Sequence, residues 1–348
     1  MKILVYLHNL EVNGSNLVAY RYIKQISRTA GYRFSVSAKA SGPMAKIFES
    51  CGAQVLIEKP NSKSLSKFSF SIINSLIRQD ALSVVSASKF PFVQYIHENW
   101  APEDFIGGVN EKWNWYLQSW DVQKEALHCA RKLIFPAAYL AERYAEFPTA
   151  VIYNPVDTVD LSGVRRSTNT KFGGVDLINV ATINSRKNQS LIVSVCSLSR
   201  EIESCRFFGD RAIRDHEIEY SRALRSATRE IQHCTFEFNS VRYPLEIDVF
   251  PNTIFLLTSV EEVLPCTIQE MMSVGVPVVA PNRFGIPEVI SDGVNGVLFD
   301  AYEEASVLSA IEVARQNAED ISARSAAYAV EHFDLETQSI KLLDELRS

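Results

Sequence analysis

The sequence predicts an α/β protein built from two Rossmann-like, doubly wound domains, and three observations lead there. Short apolar runs rich in β-branched residues alternate with longer helical patterns along the whole chain, the pattern of parallel sheets covered by helices. With 348 residues, the chain has room for two such domains of about 150 to 170 residues each. Between the two series of runs lies 154–175, rich in Thr, Ser, Gly and Arg, which reads as a linker. The domains are therefore expected at 1–154 and 155–330, with 331–348 as a terminal helix.

The elements follow in order. Lys2-Ile3-Leu4-Val5-Tyr6-Leu7 is an unbroken apolar run that ends in His8-Asn9. It is too short for a signal peptide and reads as a first, buried strand. Further strands are expected at 33–38, 54–58, 82–87, 92–97, 132–136 and 150–153 in the first half. The second half offers 177–181, 206–209, 235–238, 254–258, 277–280 and 296–299. Lys59, Lys63 and Lys67 precede Phe68, Phe70, Ile72, Ile73 and Leu76. This reads as a basic amphipathic stretch that either docks on anionic lipid or covers the sheet as an ordinary helix. Trp100, Trp113, Trp115 and Trp120 fall close together. Trp113 and Trp120 share helical spacing with Tyr116 or Leu117, a core signature, although flat rings also suit sugar faces and interfaces. Phe333-Asp334-Leu335-Glu336 opens the amphipathic terminal helix.

Composition excludes several classes. A net charge of -6 argues against nucleic acid as the main partner. Residues 1–154 nevertheless hold 17 Lys/Arg against 12 Asp/Glu, and the remainder 18 against 29, so a positive first half could meet an anionic membrane or substrate. Cys51, Cys129, Cys196, Cys205, Cys234 and Cys266 are scattered without a Cys-x-x-Cys pair. They read as reduced core residues of a cytosolic protein, not zinc ligands. No apolar run approaches transmembrane length. A cytoplasmic protein, soluble or peripheral at the inner face of the membrane, is expected.

The chemistry concentrates in 253–280. The apolar run 253–259 reads as a buried parallel strand. Pro265 suits the first turn of a helix, where its missing N–H costs nothing. The amides of Cys266 and Thr267 then point out of the helix start, an anion site backed by the positive dipole end. Glu262 precedes this helix and Glu270 lies about one and a half turns inside it. Acids near a helix start also complement the dipole alone, a reading open to Glu262 but not to Glu270. Two carboxylates beside an anion site fit a nucleotide sugar, with hydroxyls at both ends and a diphosphate between.

The run from Glu262 to Glu270, with Pro265 three after the first, is followed by Gly275-Val276-Pro277-Val278-Val279-Ala280, Gly285-Ile286-Pro287-Glu288 and Asp292-Gly293-Val294-Asn295-Gly296. This series resembles the retaining glycosyltransferases of family 4 (glycosyl transferases group 1). Asn154-Pro155-Val156-Asp157 also resembles that family's interdomain segment. The likeness is specific over 177–192 and 253–300 and only general over the first half. It implies the GT-B arrangement, two Rossmann-like domains facing a cleft with the terminal helix crossing back onto the first. It implies transfer of a sugar from a nucleotide diphosphate sugar to a glycan or lipid-linked acceptor, in cell-surface polysaccharide or glycoconjugate synthesis. In that family the first Glu binds the transferred sugar and the second the nucleotide ribose, positions held here by Glu262 and Glu270. An Arg and a Lys five residues apart bind the diphosphate. Lys187 matches the Lys, while Thr182 stands where the Arg is usual. Arg186 is a candidate substitute, although neighbouring loop residues usually point apart.

The resemblance also assigns Leu264, Cys266 and Thr267, around the helix start, to the donor. Gly14 and Asn16, in Asn13-Gly14-Ser15-Asn16 after the first strand, join them, with a plain helix cap as the alternative for Ser15 or Asn16. His97, at the end of 92–97, is expected to contact the substrate. Glu288 is a weaker candidate, since Phe284 replaces the first Gly of the family's usual pair and keeps the backbone further from a ligand. The loop Phe238-Asn239-Ser240-Val241 is a candidate reader of the base. No Asp-x-Asp occurs, so no metal is expected, and no cofactor beyond the donor substrate. Fixed cations and a helix start take the leaving charge instead. No covalent nucleophile is evident, and the resemblance implies that the leaving phosphate takes the acceptor's proton. A sugar-nucleotide epimerase or hydrolase, or a non-catalytic nucleotide-sugar binder, are the competing readings on the same fold.

Overall fold

The structure is a computed structural model and describes residues 1–106, 118–210, 215–240 and 245–347. The chain divides into two compact units, Met1–Pro155 with Phe333–Ser348, and Val156–His332.

The first unit is built on a seven-stranded parallel sheet in the order β3-β2-β1-β4-β5-β6-β7. These strands are β1 (Lys2–Tyr6), β2 (Arg33–Ala38), β3 (Gln54–Ile57), β4 (Phe70–Ile73), β5 (Phe92–Tyr95), β6 (Leu133–Phe135) and β7 (Thr149–Val151). Ile3, Leu4, Val5 and Tyr6 are all buried, as a strand covered on both faces requires. The terminal helix Leu335–Arg347 belongs to this unit and buries Leu335, Leu342, Leu343 and Leu346. Its end is tied down by Arg347 Nε donating to Tyr32 Oη (3.0 Å) and by the Lys132–Glu345 ion pair (3.2 Å).

Two expectations fail in this unit. Residues 82–87, read as a strand, belong to the helix Gln79–Ala87, in which Ala81, Leu82 and Val85 form the buried face. The β-branched pair Val84-Val85 imitated a strand, but the helical spacing of the apolar face prevails. The missing strand is β4, inside the stretch read as a basic amphipathic helix. All four of its residues are buried because it lies between β1 and β5, so no alternation marked it. Only Ser62–Leu65 of that stretch is helical. Trp100 and Trp120 are core residues, 5% and 8% exposed, and Trp120 meets Tyr144 and Phe147 edge to face. Trp113, Trp115, Tyr116 and Leu117 lie outside the described residues.

The second unit holds a six-stranded parallel sheet in the order β11-β10-β9-β13-β14-β15. The strands are β9 (Val175–Val180), β10 (Ile202–Phe208), β11 (Thr235–Asn239), β13 (Thr253–Leu256), β14 (Val278–Pro281) and β15 (Val297–Phe299). The stretch read as linker contains β8 (Val164–Arg166), which pairs in parallel with β12 (Ile247–Val249). A strand this short, with Arg165 and Arg166 exposed, carries no apolar pattern to read. Beneath the sheet, Asp176 of β9 is buried with Arg206 of β10 (Oδ1 to Nε, 3.0 Å) and accepts from Thr253 Oγ1 (2.7 Å) of β13. Arg206 also donates to the Asp248 carbonyl (2.8 Å). Every charge in this network has partners, as burial demands.

In each unit the strand order reverses beside the first strand, between β1 and β4 and between β9 and β13. Crevices outside the carboxyl ends of the strands form at such switch points.

Candidate functional site

The loops after β9 and β13 flank the second switch point and bring the expected donor residues together. After β9, Ser185–Lys187 forms a single 3-10 turn. Asn184 Oδ1 accepts from Lys187 N (3.1 Å) at its start, and Asn188 ends it in the left-handed conformation, φ 52°. The turn is stitched to the β13 loop by three bonds. Val260 N donates to Arg186 O (2.9 Å), and Thr258 Oγ1 reaches both Lys187 O (3.0 Å) and Asn188 O (2.9 Å). Lys187 Nζ then pairs with the Glu262 carboxylate, both side chains nearly buried. Arg186 NH1 donates to Glu261 O (2.9 Å) and lies 3.5 Å from Glu262 Oε1. Arg186 and Lys187 therefore converge on one carboxylate, contrary to the expectation that loop neighbours diverge. The tight turn pins both backbones, and the two long side chains reach the same point.

Burial alone would raise the Glu262 carboxyl, but Lys187 and Arg186 outweigh it and hold the group below the usual carboxylate range. For Lys187, burial pushes the ammonium below its ordinary value against the pull of Glu262, with Arg186 adding repulsion. The cluster at neutral pH is a carboxylate between two cations, one cation more than it needs.

The helix Cys266–Ser273 opens directly after this loop. Pro265 sits one residue before the first turn, at the cap, in extended conformation, and no side chain caps the helix. The amides of Cys266 and Thr267 thus belong to the first turn, where an α-helix has no carbonyl of its own to offer them. Leu264 is buried, so only its backbone can serve a ligand. Glu270 stands in the second turn, 6% exposed. Glu261 offers its carbonyl to Arg186, and Glu262 is the carboxylate at the cations. Thr182, where the family has an Arg, is exposed, and its carbonyl accepts from Gln189 Nε2 (3.1 Å). Gly209, φ 137°, lets the end of β10 pass against this loop: a Cβ there would stand 2.1 Å from Ala181 O.

The third wall is the loop after β14. Gly285 N donates to Val263 O (2.9 Å), which fastens it beside Glu262. Phe284 precedes that glycine with φ 61°, a region that costs a non-glycine residue roughly 1–2 kcal/mol. Glu288 is half-buried and its carbonyl accepts from Tyr328 Oη (3.4 Å). Asn295 serves the backbone instead, accepting from Ser291 N (2.7 Å) and donating to Val289 O (3.1 Å).

In the first unit, Gly14 is the first residue of the helix Gly14–Ile26, and Asn13, not Ser15 or Asn16, is its cap, accepting from Asn16 N (3.0 Å). The Asn16 amide is buried and donates to Asn9 O, Asn9 Oδ1 and Glu11 O (3.0, 3.0 and 2.8 Å). That side chain holds the β1 loop in shape, so any ligand contact here falls to backbone. His97 stacks on Tyr95, ring centroids 4.3 Å apart, and its Nε2 lies 3.1 Å from Asn74 Oδ1. Asn74 Nδ2 donates to Ser15 O (3.2 Å), which fixes the amide orientation and places the imidazole proton on Nε2. Burial pushes the His97 pKa down to about 3. The ring is neutral at pH 7, with Nδ1 as its acceptor.

Asn74 and Glu98 went unnoticed in the sequence. The Glu98 carboxylate accepts from Ser75 Oγ, from Leu76 N (3.0 Å) and from His97 N (3.3 Å). It ties the end of β4 to the end of β5. Burial raises its pKa, opposed by these donors. An acid directly after a strand end was the available signal. Among the described residues no group of three His, Cys, Asp or Glu side chains could hold a metal ion. None of their helices is long and apolar enough to cross a membrane.

Comparison with known proteins bears on the same region. Residues 165–329 match the family Glycosyl transferases group 1. The match starts within β8 and spans the whole six-stranded sheet, and so contains Lys187, Glu262 and Glu270. No curated protein matches the chain in sequence. Solved structures do match in fold. Anabaena Alr3699/HepE in complex with UDP-glucose superposes with a TM-score of 0.78 at 17% identity, covering 100% of this chain and 99% of that one. A glycosyltransferase from Rickettsia africae gives 0.75 at 14%, covering 99% and 97%. Sucrose-phosphate synthase from Thermosynechococcus elongatus gives 0.74 at 12%, covering 100% and 98%. The fold is GT-B, two parallel-sheet α/β units.

Proposed function

We propose that this group 1 glycosyltransferase chain moves a sugar, with retention and without a metal, from a nucleoside diphosphate sugar to a glycan or lipid-linked acceptor. One observation carries the reading: Lys187 and Arg186 converge on Glu262 at the switch point, directly before the Cys266–Ser273 helix, with Glu270 one turn inside it. In the ligand-free cluster Glu262 neutralises Lys187. When a donor enters, its diphosphate takes Lys187, Arg186 and the amides of Cys266 and Thr267, and the sugar hydroxyls take Glu262. Glu270 holds the ribose. As the sugar–oxygen bond breaks, negative charge grows on the diphosphate, where fixed cations and a helix dipole stabilise it most. Arg186 fills the role left by Thr182. The leaving phosphate then accepts the acceptor's proton.

Gly14 and its neighbouring amides, with His97, are assigned to the substrate from the first unit, His97 through Nδ1 as acceptor of a hydroxyl proton. The first unit is assigned the acceptor. Its Lys59, Lys63 and Lys67 are all exposed, which supports peripheral contact with an anionic membrane. A role in cell-surface polysaccharide or glycoconjugate synthesis follows from such an acceptor.

The test is thermal-shift screening with UDP- and GDP-sugars, followed by turnover with glycan and lipid-linked acceptors. Stabilisation by one nucleotide sugar, lost in Glu262→Ala and Lys187→Ala, supports the reading. Consumption of donor with release of free sugar and no transfer to any acceptor would point instead to a hydrolase.

A further inference from the structure

The loop after β14 contains an uncommon backbone arrangement. Of its two adjacent residues Phe284 and Gly285, the glycine has φ -80°, open to any residue, while the phenylalanine takes φ 61°. A bulky aromatic in the left-handed region is a true outlier, and such outliers cluster where the side chain has a task. Among the described residues, the other non-glycine residues with positive φ are Lys89, at the end of a helix, and Asn188, of a type that tolerates it. Phe284 is half-buried. Its neighbours bind it to the donor cluster on both sides. Gly285 N donates to the carbonyl of Val263, next to Glu262 (2.9 Å). Arg283 lies over the Tyr302 ring (5.6 Å), and Tyr302 Oη donates to Ser259 O (2.6 Å), at the start of the Glu262 loop.

We infer that Phe284 is a specificity-determining residue, a flat apolar wall of the sugar subsite beside Glu262 that discriminates among donor sugars. The inference rests on the transferase reading above. A glycine at 284 gives the closest backbone approach and admits many sugars. An aromatic ring excludes axial or bulky substituents on one side and stacks on the C–H face of the sugar it admits. Its backbone strain is then the cost of selectivity, not of folding.

The opposite signs of two readouts test this. Phe284→Gly removes ring and strain together and is expected to raise Tm by about 2–4 °C. Donor turnover is measured with UDP-glucose, UDP-galactose, UDP-N-acetylglucosamine and GDP-mannose. The ratio of kcat/KM between the best and second-best donor is expected to fall at least tenfold, while Kd for UDP and GDP changes less than twofold. Phe284→Asn, which keeps the left-handed backbone without a ring, is expected to lose discrimination equally. An unchanged ratio overturns the inference, as does a Tm that falls in Phe284→Gly, which marks the ring as a packing element. A wild-type chain that binds none of the four donors sinks the transferase reading itself, whereas an active enzyme with unaltered selectivity sinks Phe284 alone.

Discussion

Lys187 and Glu262 form a nearly buried pair with Arg186 close by, and their energetics are lopsided. Removing one partner of a buried pair typically costs about 3–5 kcal/mol, because the other charge is left stranded. In Lys187→Ala, Arg186 remains 3.5 Å from the carboxylate, so the loss should lie below that range and Tm should fall by a few degrees. Donor affinity should fall at least tenfold, checked by calorimetric titration. Both units should lose stability on acidification, each over its own pH range. The Glu262 carboxyl is depressed, so its stabilisation is complete at neutral pH and vanishes as acid protonates it below about 4.3. His97 is depressed to about 3. Its unfolded form takes a proton near pH 6.5 while the folded form refuses it, so stability should decline progressively from about pH 6.5 towards 3. His97→Gln should flatten the upper part of that decline in urea titrations from pH 7 to 5. At this scale the sequence was partly legible. The two glutamates were visible through their spacing about a strand end and a helix start, and Lys187 through the family resemblance, and the structure pairs Lys187 with Glu262. The convergence of Arg186 depends on one 3-10 turn closed by Asn184 and Asn188, and no pattern announces such a turn. Asn16 was read as a donor contact or a helix cap, and its amide instead holds the loop after β1, a long-range role that no local pattern marks.

The elements succeed or fail as a site according to how their ends are anchored. Asp176, Arg206 and Thr253 lock β9, β10 and β13 together within the sheet, and the loops that carry Lys187 and Glu262 leave the carboxyl ends of β9 and β13. Asp176→Ala should lower stability by about 3–5 kcal/mol by leaving Arg206 buried without its partner, measured by chemical unfolding. Gly209→Ala should fail in a different way. A Cβ 2.1 Å from Ala181 O at φ 137° forces β10 away from the loop that bears Arg186 and Lys187. Donor affinity should therefore drop in that variant even at temperatures where it remains folded. Strands buried on both faces were legible when long and β-rich, as at β1, β2 and β9. β4 escaped because lysines before it and apolar residues through it gave an amphipathic look. The helix Gln79–Ala87 was mistaken because two adjacent valines outweighed a modest helical pattern. β8 and β12 were invisible, being three residues long and partly charged. Local preference decides such short segments weakly, and pairing across the fold decides them strongly.

For the whole molecule, alternation and length sufficed to foresee two parallel-sheet units, and the 17% identity to Anabaena HepE at a TM-score of 0.78 shows how little of that fold resides in particular side chains. The terminal helix is the exception, since it returns to the first unit from the far end of the chain. Deleting 334–348 removes Leu335, Leu342, Leu343 and Leu346 and exposes the face of the Gly14–Ile26 helix that they cover. Calorimetry should show the first unit melting several degrees lower in that variant, with the transition of Val156–His332 unchanged. In the second unit, Lys187, Glu262 and Glu270 are proposed to clamp one nucleotide sugar. Calorimetric titration of UDP-glucose, UDP-galactose, UDP-N-acetylglucosamine and GDP-mannose into wild type, Glu270→Ala and Glu262→Ala tests it most directly. The account predicts that one donor binds to wild type. Glu270→Ala weakens both that donor and its free nucleoside diphosphate, whereas Glu262→Ala weakens the donor much more than the diphosphate. Equal affinity in all three proteins, or no binding of any donor to wild type, would contradict it.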